Sequence, residues 1–179
     1  MSIHEALNIL VRERRIFHVP PAIRGVSSAR HLFLVAGVHE RLMSAMTGNT
    51  SEDAAYARLY AALDAFTSGR MISIGDHPFE KDNSAFMART NPPQEAIFDI
   101  RVHGIRNTPA TRLFGAFCEK DIFLGLTCKL RRNLGGRQER LFDQAILEAM
   151  REWDTLLPGH KRHYSERIED HVSDNFHIV

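Results

Sequence analysis

The chain has 179 residues, room for one domain, and its 44% hydrophobic and 25% charged content points to a packed core rather than disorder. A formal net charge of +1 excludes a generally basic nucleic-acid-binding chain and leaves only a local basic patch for that role. Two cysteines, Cys118 and Cys128, are too few for a disulfide scaffold, and their apolar neighbours mark them as buried, reduced thiols.

In chain order, Ser2 and Glu5 fit a capping box that opens a helix, and Ile3, Ala6, Leu7, Leu10 and Val11 recur at helical spacing. The helix is expected to end near Arg15 or Phe17, before Val19-Pro20-Pro21, because proline lacks the N–H of the ladder. Residues 18–28 read as a loop. The apolar run His31–Ala36 fits a short buried strand followed by a helix over about Val38–Met46, or one longer helix capped by Ser27 or Ser28; the first reading is adopted. Thr50 or Ser51 caps the next helix, with Glu52 and Asp53 in its first turn and Tyr56, Leu59, Leu63 and Phe66 as its apolar stripe; Gly69 ends it.

Met71–Gly75 fits a short strand, and residues 76–94, with three prolines, read as a long loop. Phe98, Ile100 and Val102 then alternate with Asp99, Arg101 and His103, as in a strand with one polar face. Two more strands follow, about Ala110–Cys118 and Ile122–Leu130, joined by a turn at Glu119-Lys120. After Gly135-Gly136 comes a helix over about Gln138–Leu156, with Phe142, Ile146, Ala149 and Trp153 on one side, stopped by Pro158-Gly159. A short helix over Tyr164–Val172 fits the polar C-terminal segment. The expected fold is α+β, an antiparallel three- to four-stranded sheet packed by helices. Residues 1–28 form an N-terminal helical extension, 29–158 the core and 159–179 a surface tail. The N-terminus lacks the pattern of a signal peptide and no apolar run is long enough to span a bilayer, so a cytoplasmic protein without membrane association is expected.

The three strands of residues 97–132 carry the candidate chemistry. If Glu119-Lys120 is a two-residue turn, Cys118 opposes Asp121, Leu113 faces Leu126, Phe117 faces Ile122 and Arg112 faces Thr127. Lys129 then shares a side with Arg112, Phe114 and Phe123. A turn one residue longer puts Arg112 beside Cys128 instead. Arg101, His103, Arg131 and Arg132 extend the cationic, aromatic surface. Guanidinium groups bind phosphate and stabilise charge developing at phosphorus, and aromatic rings stack unpaired bases. Arg, Lys and His together supply a base, a cation and an acid for cleaving RNA without metal. The plainer alternative is a solvated strand face, where such cations discourage edge pairing.

The order strand, two helices, three antiparallel strands, helix, together with FDIRV, TRLFGAF and IFLGLTCKLRR, resembles the RelE/ParE-like toxin superfamily over about residues 30–132. The resemblance implies a β-α-α-β-β-β core; the residues that match are Arg101, Arg112, Lys129 and Arg131, with Arg101, Arg112 and Lys129 as catalytic candidates, while His103, Phe114, Phe123, Arg131 and Arg132 of the cationic, aromatic face are the nucleic-acid-binding ones. Ribosome-dependent members of that superfamily contact and cleave messenger RNA in the decoding site, while the ParE-type branch targets DNA gyrase. It also implies an antitoxin-like protein partner covering the basic face, and no cofactor. A non-enzymatic binding protein of mobile-element or phage origin is the other reading. His160, His163, His171 and His177 show no HExxH, and no CxxC occurs, so no metal site is expected. Gly135-Gly136 lacks the Lys-Ser/Thr of a P-loop, there is no G-x-S-x-G elbow, and Asp76-His77 beside Glu80 is a weak acid–base candidate.

Overall fold

A computed structural model describes residues 1–23, 25, 27–76, 84–135 and 140–179. In chain order it contains α1 (Ile3–Arg12), β1 (Ile16–His18), β2 (His31–Val35), α2 (Ala36–Ala45), α3 (Ser51–Thr67), β3 (Ile72–Gly75) and β4 (Met87–Arg89), then β5 (Phe98–Val102), β6 (Thr111–Glu119), β7 (Ile122–Leu130), α4 (Arg140–Leu156) and β8 (Phe176–Ile178). The class is α+β. The sheet, however, has eight strands in the order β1-β2-β7-β6-β5-β4-β3-β8 rather than three or four. It is mixed rather than antiparallel, because β2 runs parallel to β7, and β3 parallel to both β4 and β8. The strands that the sequence did not announce, β1, β4 and β8, are three residues long, too short for a period-2 pattern to declare itself.

Local chemistry sets the helices. In α1, the Ser2 hydroxyl accepts from Glu5 N–H and the Glu5 carboxylate accepts from Ser2 N–H, and in α3 Thr50 and Asp53 form the same reciprocal pair. Gly69 takes φ +71 just after α3, a conformation that costs a residue without Cβ little. The stripes Tyr56, Leu59, Leu63, Phe66 of α3 and Ile146, Ala149, Trp153 of α4 are buried, with Phe142 half-buried at the end of the second. α1 ends sooner than expected: Arg14 adopts φ 57, and the chain turns directly into β1.

The two helices cover opposite faces of the central strands. Phe66 of α3 packs on Phe117 and Phe123, with ring centroids 6.3 and 6.0 Å away, while Phe142 of α4 meets Phe114 edge-on at 5.2 Å. The apolar core is continuous across the chain. Ala6, Leu7 and Leu10 of α1 join it, and so do Ile168 and Val172. The segment 159–179 is therefore not a surface tail. Its His171 is buried among Phe98, Phe117 and His163, and β8 completes the sheet. Instead of a helix over Tyr164–Val172, this segment has a single 3-10 turn, Ile168–Asp170. Trp153 anchors it by donating its indole N–H to the His160 carbonyl at 2.8 Å. Arg30, also buried, donates to the carbonyls of Arg70, Asp174 and Asn175 beneath it.

The β6–β7 hairpin departs from the expected register. Its turn is Lys120-Asp121, with Glu119 opposite Ile122 and Asp121 at φ 62. Two irregularities follow, at Phe117/Glu119 and at Phe114/Gly115. Phe117 thus faces Phe123, Leu113 faces Cys128, and Arg112 faces Lys129. Gly115 sits where the second irregularity brings β7 close: a Cβ there would lie 2.6 Å from the Phe123 ring and against the Leu124 carbonyl. Gly115→Ala is expected to lower stability by about 1–3 kcal/mol, the range for overpacking a close-packed interior, read as a lower denaturant midpoint.

Candidate functional site

Three neighbouring strands place three cations side by side. Arg101 of β5 is directly opposite Arg112 of β6, which is directly opposite Lys129 of β7. The alternation of each strand turns all three toward the face that α4 covers. Arg131, just past β7, lies close enough for its charge to act on Arg112. Side-chain exposures of 18% for Arg101, 11% for Arg112 and 34% for Lys129 make the row a recess that opens outward toward β7.

Each cation has an anionic neighbour. Asp99, two residues before Arg101 on the same strand face, is fully buried and accepts from Arg101 Nε at 3.0 and 3.1 Å through its two oxygens. Arg112 Nε lies 3.3 Å from Asp99 Oδ2, the oxygen that Arg101 Nε also reaches at 3.1 Å. It is not aligned for a hydrogen bond, so Arg112 gains charge compensation there without a directed bond. Burial pushes the Arg112 guanidinium down to about 10; Asp99 opposes that shift, and Arg101 and Arg131 reinforce it. It remains a cation at neutral pH. Lys129 Nζ is 2.6 Å from Glu148 on α4. Arg131 donates to the Gly135 carbonyl at 2.8 Å.

Among the described residues, Asp99 is shared by Arg101 and Arg112, and Glu148 meets Lys129. Partly desolvated cations attract an incoming anion, and the guanidinium forks suit the tetrahedral oxygens of a phosphate.

The structure brings Arg101, Arg112, Lys129 and Arg131 together, with Phe114 beneath them. It separates two expected members. Phe123 lies on the opposite face, against Phe66, because the extra residue of β7 between Gly125 and Thr127 reverses the facing of the residues before it. Arg132 pairs with Glu52 at the start of α3, where Glu52 also sits 3.6 Å from Arg41. Phe114 and Phe123 are both fully buried, so neither presents a ring for base stacking in this conformation. His103 is exposed beyond the end of β5, and its carbonyl accepts from Arg58 at 2.9 Å.

Asp99 and Glu148 are parts of the site that the strand pattern did not single out. Asp99 had a signal, its i, i+2 spacing from Arg101 on one strand face. Glu148 had none, since its neighbour is set by how α4 crosses β7.

The other candidates are less constructive. Asp76 holds buried Arg89 at 3.1 Å, while His77 and Glu80 lie outside the described residues. So does Gly136. Burial pushes the thiols of Cys118 and Cys128 up to about 12 and about 11, which keeps both protonated and unreactive at neutral pH. Among the described residues no group of three or more His, Cys, Asp or Glu is arranged to hold a metal ion, and no helix is long and apolar enough to cross a membrane. No family model matches the sequence, and neither curated proteins nor solved structures gave a match.

Proposed function

We propose that this protein acts on RNA through the Arg101–Arg112–Lys129 row, as a toxin-like inhibitor of translation. The observation that carries the reading is the row itself, cations from three adjacent strands in one register line, with the charge of Arg131, just past β7, also acting on Arg112. A phosphodiester offers the charge and the oxygen geometry that such a row binds best. The topology supports the RelE/ParE-like resemblance. The succession β2, α2, α3, β5, β6, β7 follows the β-α-α-β-β-β order, and β2, β7, β6 and β5 are neighbours in the sheet. β3 and β4 are then an insertion, and α1, β1, α4 and β8 additions at the ends.

In the enzymatic form of this reading, the adjacent ribose 2′-hydroxyl attacks phosphorus and gives its proton to water, Arg101 and Arg112 stabilise the charge that develops on the phosphate, and Lys129 protonates the departing 5′-oxygen, leaving a 2′,3′-cyclic phosphate without metal. A second reading, binding without cleavage, is favoured by the Lys129–Glu148 contact, which occupies the ammonium group, and by the burial of Phe114. An antitoxin-like protein partner would cover the open side of the row in either case.

Fluorescence anisotropy with a labelled single-stranded RNA tests the reading. Lys129→Gln and Arg131→Gln are each expected to weaken binding about tenfold and to reduce the dependence of log affinity on log salt by about one phosphate contact. Both side chains are partly accessible, so folding should survive. RNA binding that is absent, or unchanged in both variants, refutes it. Electrophoresis of the same RNA after incubation separates cleavage from binding alone.

A further inference from the structure

The far edge of the sheet carries a second arrangement, independent of the cation row. β1 is the outermost strand, and its His18 pairs laterally with Phe33 of β2. His31, two residues before Phe33, is therefore the diagonal neighbour of His18 on the same sheet face. His31 Nδ1 lies 3.5 Å from His18 Nε2, with ring centroids 5.6 Å apart and planes inclined by 42°. This separation is long for a hydrogen bond between ring nitrogens, which prefers about 3 Å. It is close to what two nitrogens adopt around one shared ion, since metal–nitrogen bonds of about 2.0–2.1 Å at a tetrahedral angle put the nitrogens about 3.4 Å apart.

The supporting structure holds this spacing. The strands are tied by the Ile16–Val35, Phe17–Leu34 and His18–Phe33 pairs, and by Val19 N–H donating to the Leu32 carbonyl at 2.8 Å. The Phe33 ring lies 5.2 Å from the His18 ring and limits its swing. His31 N–H donates to the Asp121 carbonyl at 2.7 Å, which fixes that residue's backbone. Both histidines are exposed, so the positions of an ion away from the protein are open to water. The backbone thus brings two borderline-soft donors into chelating distance without rearrangement, and that preorganisation separates the pair from scattered surface histidines.

We propose that His18 and His31 form a two-histidine site for a divalent transition metal ion of the Zn²⁺, Ni²⁺ or Cu²⁺ class, bound through His18 Nε2 and His31 Nδ1, with water in the remaining positions. The tautomers follow: each ring keeps its proton on the nitrogen that does not face the ion.

Isothermal titration of Zn²⁺ into the full chain at neutral pH, paired with Cu²⁺ electron paramagnetic resonance, tests this. One equivalent per chain is expected, with nitrogen splitting from two imidazoles. His18→Ala, His31→Ala and the closer substitution His31→Gln should each weaken Zn²⁺ binding about tenfold or more and reduce the Cu²⁺ signal to one nitrogen. The metal-free thermal transition of each variant, followed by circular dichroism, should match the wild type, because both side chains are exposed. Isotherms of the variants that superimpose on the wild type would assign the binding to other histidines and overturn the proposal. Absence of any Zn²⁺ binding by the wild type overturns it as well. Neither result bears on the RNA reading, whose variants lie on other strands.

Discussion

Asp99→Asn is expected to destabilise the protein by about 3–5 kcal/mol, the range found when one partner is removed from a buried ion pair. The Asp99 carboxylate is fully buried between two guanidinium groups, and it neutralises both Arg101 and Arg112. An amide of the same shape keeps the packing but removes the charge. Arg112, only 11% exposed and directly opposite both Arg101 and Lys129, would then lie among like charges without the carboxylate that offsets them. Ordinary stabilities run to about 5–15 kcal/mol, so the loss would be a large share of the total. Urea unfolding of the wild type and the variant measures it, as a drop in midpoint with little change in slope. Arg112→Met in the Asp99→Asn background should recover part of the loss, since it removes the stranded charge and fills similar volume. A loss under about 1 kcal/mol would show the row to be solvated and the reading of a desolvated anion recess to be mistaken.

Acid should weaken the fold before its carboxylates titrate. His171 is buried beside His163, whose ring meets it edge-on at 5.0 Å, and against the rings of Phe98 and Phe117, with Arg89 adding positive charge nearby. The described structure satisfies Nδ1 through the Arg167 carbonyl at 3.0 Å, whereas Nε2 has no hydrogen-bond partner. Burial, the largest cause, lowers the imidazole from 6.5 to about 4, and Arg89 and His163 push the same way, against the hydrogen bonding at Arg167. Between those two values the unfolded chain binds a proton that the folded chain refuses. Stability is therefore complete above about pH 6.5 and falls toward about pH 4, by about 3 kcal/mol for this one group.

Partial desolvation also lowers His18 and His39, so both act in the same direction. Glu5, Asp53 and Asp170 are held below the usual carboxylate range by hydrogen bonds from Ser2, Thr50 and Ser165, and so contribute to loss at lower pH. His171→Phe, which keeps a ring against Phe98 and Phe117, should flatten the decline between pH 6.5 and 4. Denaturant midpoints measured across that range check it. A wild-type curve that is flat there, or a variant that declines as steeply, contradicts the account.

Much of the helical framework was legible because the signals are local. Capping residues at Ser2 and Thr50, the stop at Gly69 and the four-three spacing of α4 act over a few residues, and the structure has them. The central strands were legible for the same reason, since five to nine residues of alternation suffice to mark a strand. The short strands β1, β4 and β8 were not. Each exists because a neighbouring strand offers it hydrogen bonds, as β3 does for β4 and β8, and no period-2 pattern in three residues announces that.

The candidate site divides along the same line. The identities Arg101, Arg112, Lys129 and Arg131, and their placement on a polar strand face, came from the order of residues alone. Tertiary structure decided which of them meet. The Lys120-Asp121 turn and the extra residue in β7 set Arg112 against Lys129 and carried Phe123 to the other face, because side chains alternate with a period of two and one added residue inverts what precedes it. α4 then supplied Glu148 and closed Phe114 under Phe142, contacts between segments far apart in the chain that depend on how layers pack rather than on any neighbouring residue.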